Sequence, residues 1–123
     1  MKHYLRLVKY ANDLGYKVVE AHCDSWDAHT KTICNNKRRT VENRIIYMIH
    51  EIGHAHYYEK NKDTYLEKHP GLNSSEKIKI KASEMEQEAL AWYVGLEIAR
   101  SIGVFVNERK YAQIKTKCMQ SYL

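Results

Sequence analysis

Proline occurs once in these 123 residues, phenylalanine once and glycine five times. A chain so poor in turn-forming residues is neither collagen-like nor a low-complexity polymer. Long apolar runs are missing too, so nothing is expected to span a membrane. The amino-terminal MKHYLRLVKY carries charges every few residues, so no secretory apolar segment is expected. Cysteine is scarce and odd in number: Cys23, Cys34 and Cys118 form no CxxC pair. Free thiols, and hence a reducing, cytoplasmic setting, are the expectation. An acidic disordered chain is excluded, because 20 Lys+Arg against 15 Asp+Glu leave a formal charge of +5.

What is present suits one domain over residues 1–123, 44% apolar, with one modest core. Ten tyrosines beside two tryptophans and one phenylalanine leave that core to Ile, Leu, Val and Ala, with half-polar rings at its margin. Residues 3–14 place Tyr4, Leu7, Val8, Ala11 and Leu14 at helical spacing, and Gly15 follows as a left-handed stop. Residues 16–22 and 30–35 read as a hairpin or two neighbouring strands, joined by the polar CDSWDAH. Thr40 can cap a helix reaching about Lys60, with Ile45, Met48, Ile49, Ile52 and Ala55 on one side. Residues 61–73, with Pro70, read as a loop. Ser74 or Ser75 then opens a long helix whose stripe is Ile78, Ala82, Met85, Ala89, Trp92, Leu96 and Ala99, and Gly103 ends it. A basic helix over 107–120 closes the chain. The sum is α+β: a small sheet beside two core helices, with a helix at each end.

The stretch that carries chemistry is His50-Glu51-Ile52-Gly53-His54, an H-E-x-x-H inside the predicted helix 40–60. Two histidines one turn apart on one face can reach a single cation. Glu51 lies about 100° further round, well placed to take a proton from an activated water. Gly53, costly in a helix interior by about 1 kcal/mol, leaves room for something to approach closely. Zinc wants a third protein ligand and an open fourth position. Glu84, Glu86 and Glu88 on the long helix compete for that role. Glu86, sharing its side with Ala82, Ala89 and Tyr93, is the expected ligand; Glu84 lies beside Lys77, Lys81 and Glu88.

The run Ile49-His-Glu-Ile-Gly-His54 followed by Glu86-Gln-Glu-Ala-Leu-Ala-Trp92 resembles the ImmA/IrrE group of small gluzincin metallopeptidases. In that group an HE-x-GH helix precedes an E-x-E-A-N-x-F-A helix. The resemblance covers about residues 15–103, including a strand, Lys31–Asn35, before the active-site helix. It implies a minimal zincin-like fold, zinc on His50, His54 and Glu86, and Glu51 as catalytic base. It also implies a phage or mobile-element setting for so short a form, without room for the group's DNA-binding extension. The departure is Leu90, where the group commonly has Asn or Asp supporting a ligand histidine.

Lesser candidates are His69 as a ligand from the loop, and His22, Asp24, Asp27 and His29 as a second metal site, though turn chemistry accounts for the latter more simply. His56 faces the wrong side of its helix. Tyr57, Tyr58 and Tyr93 could each donate to an oxyanion. The expected function is zinc-dependent hydrolysis of an intracellular protein or peptide, which the strand at 31–35 would hold by β-addition. The rivals are an interaction or regulatory protein that keeps the metal site with little turnover, and a nucleic-acid-associated protein using the basic helix Glu108–Lys117.

Overall fold

The computed structural model describes residues 1–62 and 77–122, with residues 77–83 described by their backbone alone. The predicted loop beyond Lys62, Pro70, His69 and the helix start at Ser74 or Ser75 lie outside the described residues, as do the side chains of Ile78 and Ala82. The fold is α+β. In chain order it runs α1 (Lys2–Asp13), β1 (Lys17–Ala21), β2 (Ser25–Asp27), β3 (Thr32–Asn36), α2 (Val41–Asn61), α3 (Lys77–Ser101) and α4 (Glu108–Gln120). No helix among the described residues is long and apolar enough to cross a membrane.

Helix α1 buries Tyr4, Leu7 and Ala11 at helical spacing. It stops where Gly15 takes φ +100°, and the Tyr16 N–H donates back to the Ala11 carbonyl. The three strands form a mixed sheet in the order β1-β3-β2. Strands β1 and β3 are therefore neighbours, and they pair parallel, Lys17 opposite Thr32 through Ala21 opposite Asn36. The segment predicted as a polar connection contains β2, which turns back antiparallel on β3, placing Trp26 opposite Ile33. One expectation fails here: both edges of β3 are already paired, so this strand cannot receive a peptide by β-addition. Among the described residues, the edges left to pair are those of β1 and β2.

On the inner face of β3, Ile33 and Asn35 are fully buried. A buried amide needs partners, and Asn35 has them: its Oδ1 accepts from Arg44 Nε at 2.8 Å, and its Nδ2 donates to the Arg44 carbonyl and to Asp24, each at 3.3 Å. The sheet is thereby fastened to the start of α2. Thr40 caps that helix, its hydroxyl accepting from the Asn43 N–H at 3.3 Å.

Helices α2 and α3 form the centre of the domain and meet backbone to backbone. A Cβ at Gly53 would fall on the Ala91 carbonyl, and one at Gly95 would fall on that of Ile49. Around this crossing Ile46, Met48, Ile49, Ile52, Trp92 and Ala99 are buried. The buried face of α3 is thus Ala91, Trp92, Gly95, Ile98 and Ala99; it keeps Trp92 and Ala99 of the predicted stripe, leaves Met85 and Leu96 half-buried, and exposes Ala89. Small residues displaced bulky ones from the contact because they let the helices approach. Helix α4 packs across the bundle through Tyr111, whose hydroxyl donates to the Trp92 carbonyl. Asn107 caps it, accepting from the Lys110 N–H at 3.1 Å.

Candidate metal centre

Because α2 is regular from Val41 to Asn61, His50 and His54 project one turn apart, their ring centroids separated by 4.7 Å. Across from them stands Glu88 of α3. One carboxylate oxygen lies 2.7 Å from His50 Nε2, and the other lies 3.0 Å from His54 Nε2. One ligand atom from each of the three falls within 4.8 Å of the others. Donors about 2 Å from a shared zinc ion lie roughly 3–4 Å apart, so these three side chains are near enough to close on one such ion. The side chains of His50, His54 and Glu88 are only 11, 10 and 17% exposed.

Such a cluster has strong electrostatics. Burial pushes the His50 imidazole down, but hydrogen bonds and charge from Glu51 and Glu88 outweigh it and raise the ring to about 9. Burial pushes Glu88 up, and its hydrogen bonds to both imidazoles outweigh that, holding the carboxyl well below the usual carboxylate range. Without an ion, the ring N–H groups satisfy the carboxylate; an ion would have to displace those protons. Two imidazoles and one carboxylate are a donor set that zinc accepts, and they leave a fourth tetrahedral position for water.

Glu86, the ligand expected from sequence, is not in this cluster. Residues two positions apart on a helix point about 200° from one another, so with Glu88 turned inward Glu86 is exposed. Its charge instead reaches Tyr57, whose phenol is pushed up by burial and then by Glu86. Glu84 is exposed as well. The significance given to Leu90 goes with that register: the residue one turn after Glu88 is Trp92.

Glu51 is buried, with Oε1 lying 3.5 Å from His50 Nδ1. The carboxylate therefore sits beside the ring nitrogen that faces away from Glu88. His56 lies off the cluster, its Nδ1 hydrogen-bonded to the Tyr10 hydroxyl at 2.6 Å. Tyr93 is 63% exposed on the outside of α3. The suggested second metal site does not form among the described residues. Asp27 accepts from the backbone N–H groups of His29 and Thr30 at 2.8 and 3.2 Å, while Asp24 pairs with Arg39 at 2.7 Å.

Three aromatic residues stand at the centre that sequence reasoning had not placed there. Trp92 stacks on His50, centroids 4.2 Å apart and planes 8° from parallel. Trp26 of β2 stacks on His54 at 5.6 Å, also at 8°. Just beyond the end of α4, the Tyr122 phenol is pushed up to about 12 by burial, followed by the charge of the nearby Glu88 carboxylate. One turn earlier on α4, Cys118 neighbours Tyr47, whose phenol is pushed up by burial and then by that thiol. The carboxy-terminal end of the predicted basic helix therefore lies within electrostatic reach of the centre. Only the Trp92 placement had a sequence signal, its position one turn after a candidate glutamate.

No protein-family model matches this chain, and neither a curated protein nor a solved structure is significantly similar to it.

Proposed function

We propose that this chain is a zinc-dependent metallopeptidase acting on a protein or peptide in a reducing, cytoplasmic compartment. The observation that carries the reading is the convergence of His50 Nε2, His54 Nε2 and a Glu88 oxygen between two helices, beside a buried Glu51. Resemblance of the H-E-x-x-H and E-x-E-A segments to the ImmA/IrrE group supports it, with Glu88 in place of Glu86 as third ligand. The free state of Cys23, Cys34 and Cys118 suits a reducing compartment.

Bound zinc would polarise a peptide carbonyl and lower the pKa of water toward 7. Glu51 supplies the base: its carboxylate takes a proton from the attacking water and returns it to the leaving amine. Glu88 offsets positive charge between the imidazoles. An extended peptide is held along the outer edge of β2, the strand whose Trp26 touches His54, rather than on β3.

A second reading keeps the metal but not the turnover, making the chain an interaction or regulatory protein. The 3.5 Å approach of Glu51 to His50 Nδ1 favours it, since a carboxylate there orients an imidazole without taking part in hydrolysis.

Metal analysis of purified wild type, Glu86→Ala and Glu88→Ala tests the centre. One zinc per chain is expected in wild type and in Glu86→Ala, and none in Glu88→Ala. Full zinc in folded Glu88→Ala refutes the ligand set. Cleavage of a peptide library by the zinc-loaded wild type separates the peptidase from the interaction protein.

A further inference from the structure

An imidazole binds a metal along the lone pair in its ring plane, so the plane must be aimed before the ion arrives. Rotation of a histidine ring about its last torsion is broad and roughly two-fold, and the helix backbone does little to restrict it. For His50 the ring is fixed by buried Trp92 on its face and Glu51 near Nδ1. For His54 the ring lies parallel to Trp26, within 8°. Trp26 comes from a different element, the three-residue strand β2, and is also met by Tyr58, at 5.7 Å and 54°. Tyr58 lies one turn beyond His54 on α2, so the indole contacts side chains from two successive turns of that helix. A ring lying on the imidazole face fixes its plane while leaving the Nε2 edge open to the ion and to Glu88.

We propose that Trp26 is a positioning residue for the metal centre, holding the His54 imidazole in its ligating plane by parallel, offset stacking. The proposal rests on the metal reading above. It assigns to an edge-strand indole the role that a hydrogen-bond acceptor plays for most ligand histidines. The ring is what matters: bulk without a planar face does not select one imidazole plane.

The test compares wild type with Trp26→Phe, Trp26→Leu and Trp26→Ala as full chains whose folding is checked by circular dichroism. Zinc affinity is read by competition with a chelating dye, and ligand geometry by the visible bands of the cobalt-substituted proteins. Trp26→Phe should stay within about 3-fold of wild type with unchanged bands, while Trp26→Leu and Trp26→Ala weaken zinc about 10-fold, the lower end for loss of a ligand's support, and alter the cobalt spectrum. In metal-free protein, the proton NMR signal of the His54 ring should show an upfield ring-current shift that Trp26→Leu abolishes. Wild-type affinity and cobalt bands in Trp26→Leu overturn the proposal even where Trp26→Ala fails to fold. Absence of zinc binding by the wild type itself would instead remove the metal reading, and this proposal with it.

Discussion

Replacing Gly53 by alanine sets two effects against each other at one atom. In an exposed helix the change would stabilise by about 1 kcal/mol, because glycine is a poor helix former. Here the added Cβ meets the Ala91 carbonyl and lies 3.0 Å from the Gly95 nitrogen. Both are backbone atoms, which cannot swing aside as a flexible side chain would, so α3 must move. Overpacking that shifts backbone costs about 3 kcal/mol, leaving a net loss of about 2 kcal/mol. For a domain of this size each kcal/mol is worth roughly 4 °C, so the melting temperature should fall about 8 °C. Thermal melts followed by circular dichroism, with chelator present, measure the packing without the metal. Because Glu88 is one turn from Ala91, the same displacement draws its carboxylate away from His50 and His54, and zinc affinity should fall about 10-fold. Gly95→Ala should act in the same direction, since its Cβ would meet the Ile49 carbonyl. A Gly53→Ala protein that melts at or above the wild-type temperature would show that α2 and α3 do not touch through their backbones.

Other outcomes follow from the centre itself. Glu51→Gln should keep zinc within about 3-fold and lose turnover by about 100-fold or more if Glu51 is the base; if Glu51 orients His50 instead, Glu51→Ala should weaken zinc while Glu51→Gln, which keeps an acceptor oxygen, should not. In metal-free protein the His50 contribution to stability is complete below its ordinary pKa of 6.5 and disappears as pH rises through about 9, whereas that of Glu88 is complete above 4.5 and is lost as acid protonates it. Melting temperature with chelator should therefore fall between pH 6.5 and 9.5, and Glu88→Gln should flatten that fall; zinc affinity over the same range should rise as the imidazole proton leaves. Asn35→Leu should cost about 2 kcal/mol by chemical denaturation, because it orphans a partly buried arginine Nε–H and breaks the tie between β3 and α2.

Local signals read true wherever one residue decides the local backbone. Gly15 could be recognised as the stop of α1 and Thr40 as the cap of α2, because each acts on hydrogen bonds within its own turn. The strand segments 16–22 and 30–35 were legible from their β-branched residues, but their pairing was not. Whether β1 and β3 run parallel depends on where the three-residue β2 lies, and Ser25-Trp26-Asp27 is too short and too polar to announce itself as a strand. That strand in turn occupies the edge of β3 where a peptide had been expected. The sheet edge available near His54 is therefore a property of topology, beyond the reach of any window along the sequence.

The histidines were legible because their spacing lies within one helix, whereas the third member of the cluster depends on how a second helix is rotated. Hydropathy turned α3 toward Met85, Ala89 and Leu96, since glycine contributes nothing to an apolar stripe. Yet the sequence already held an unspent feature in Gly53, whose missing side chain invites a close neighbour. On α3 the small residues Ala91, Gly95 and Ala99 recur every fourth position, and they offer the matching surface. Setting that face against Gly53 turns Glu88, one turn before Ala91, toward α2 and turns Glu86 about 200° away. Bulk decides which face of a helix is buried when side chains fill the gap. Where backbones touch, as Gly53 and Gly95 require here, the smallest residues decide it, and the ligand follows them.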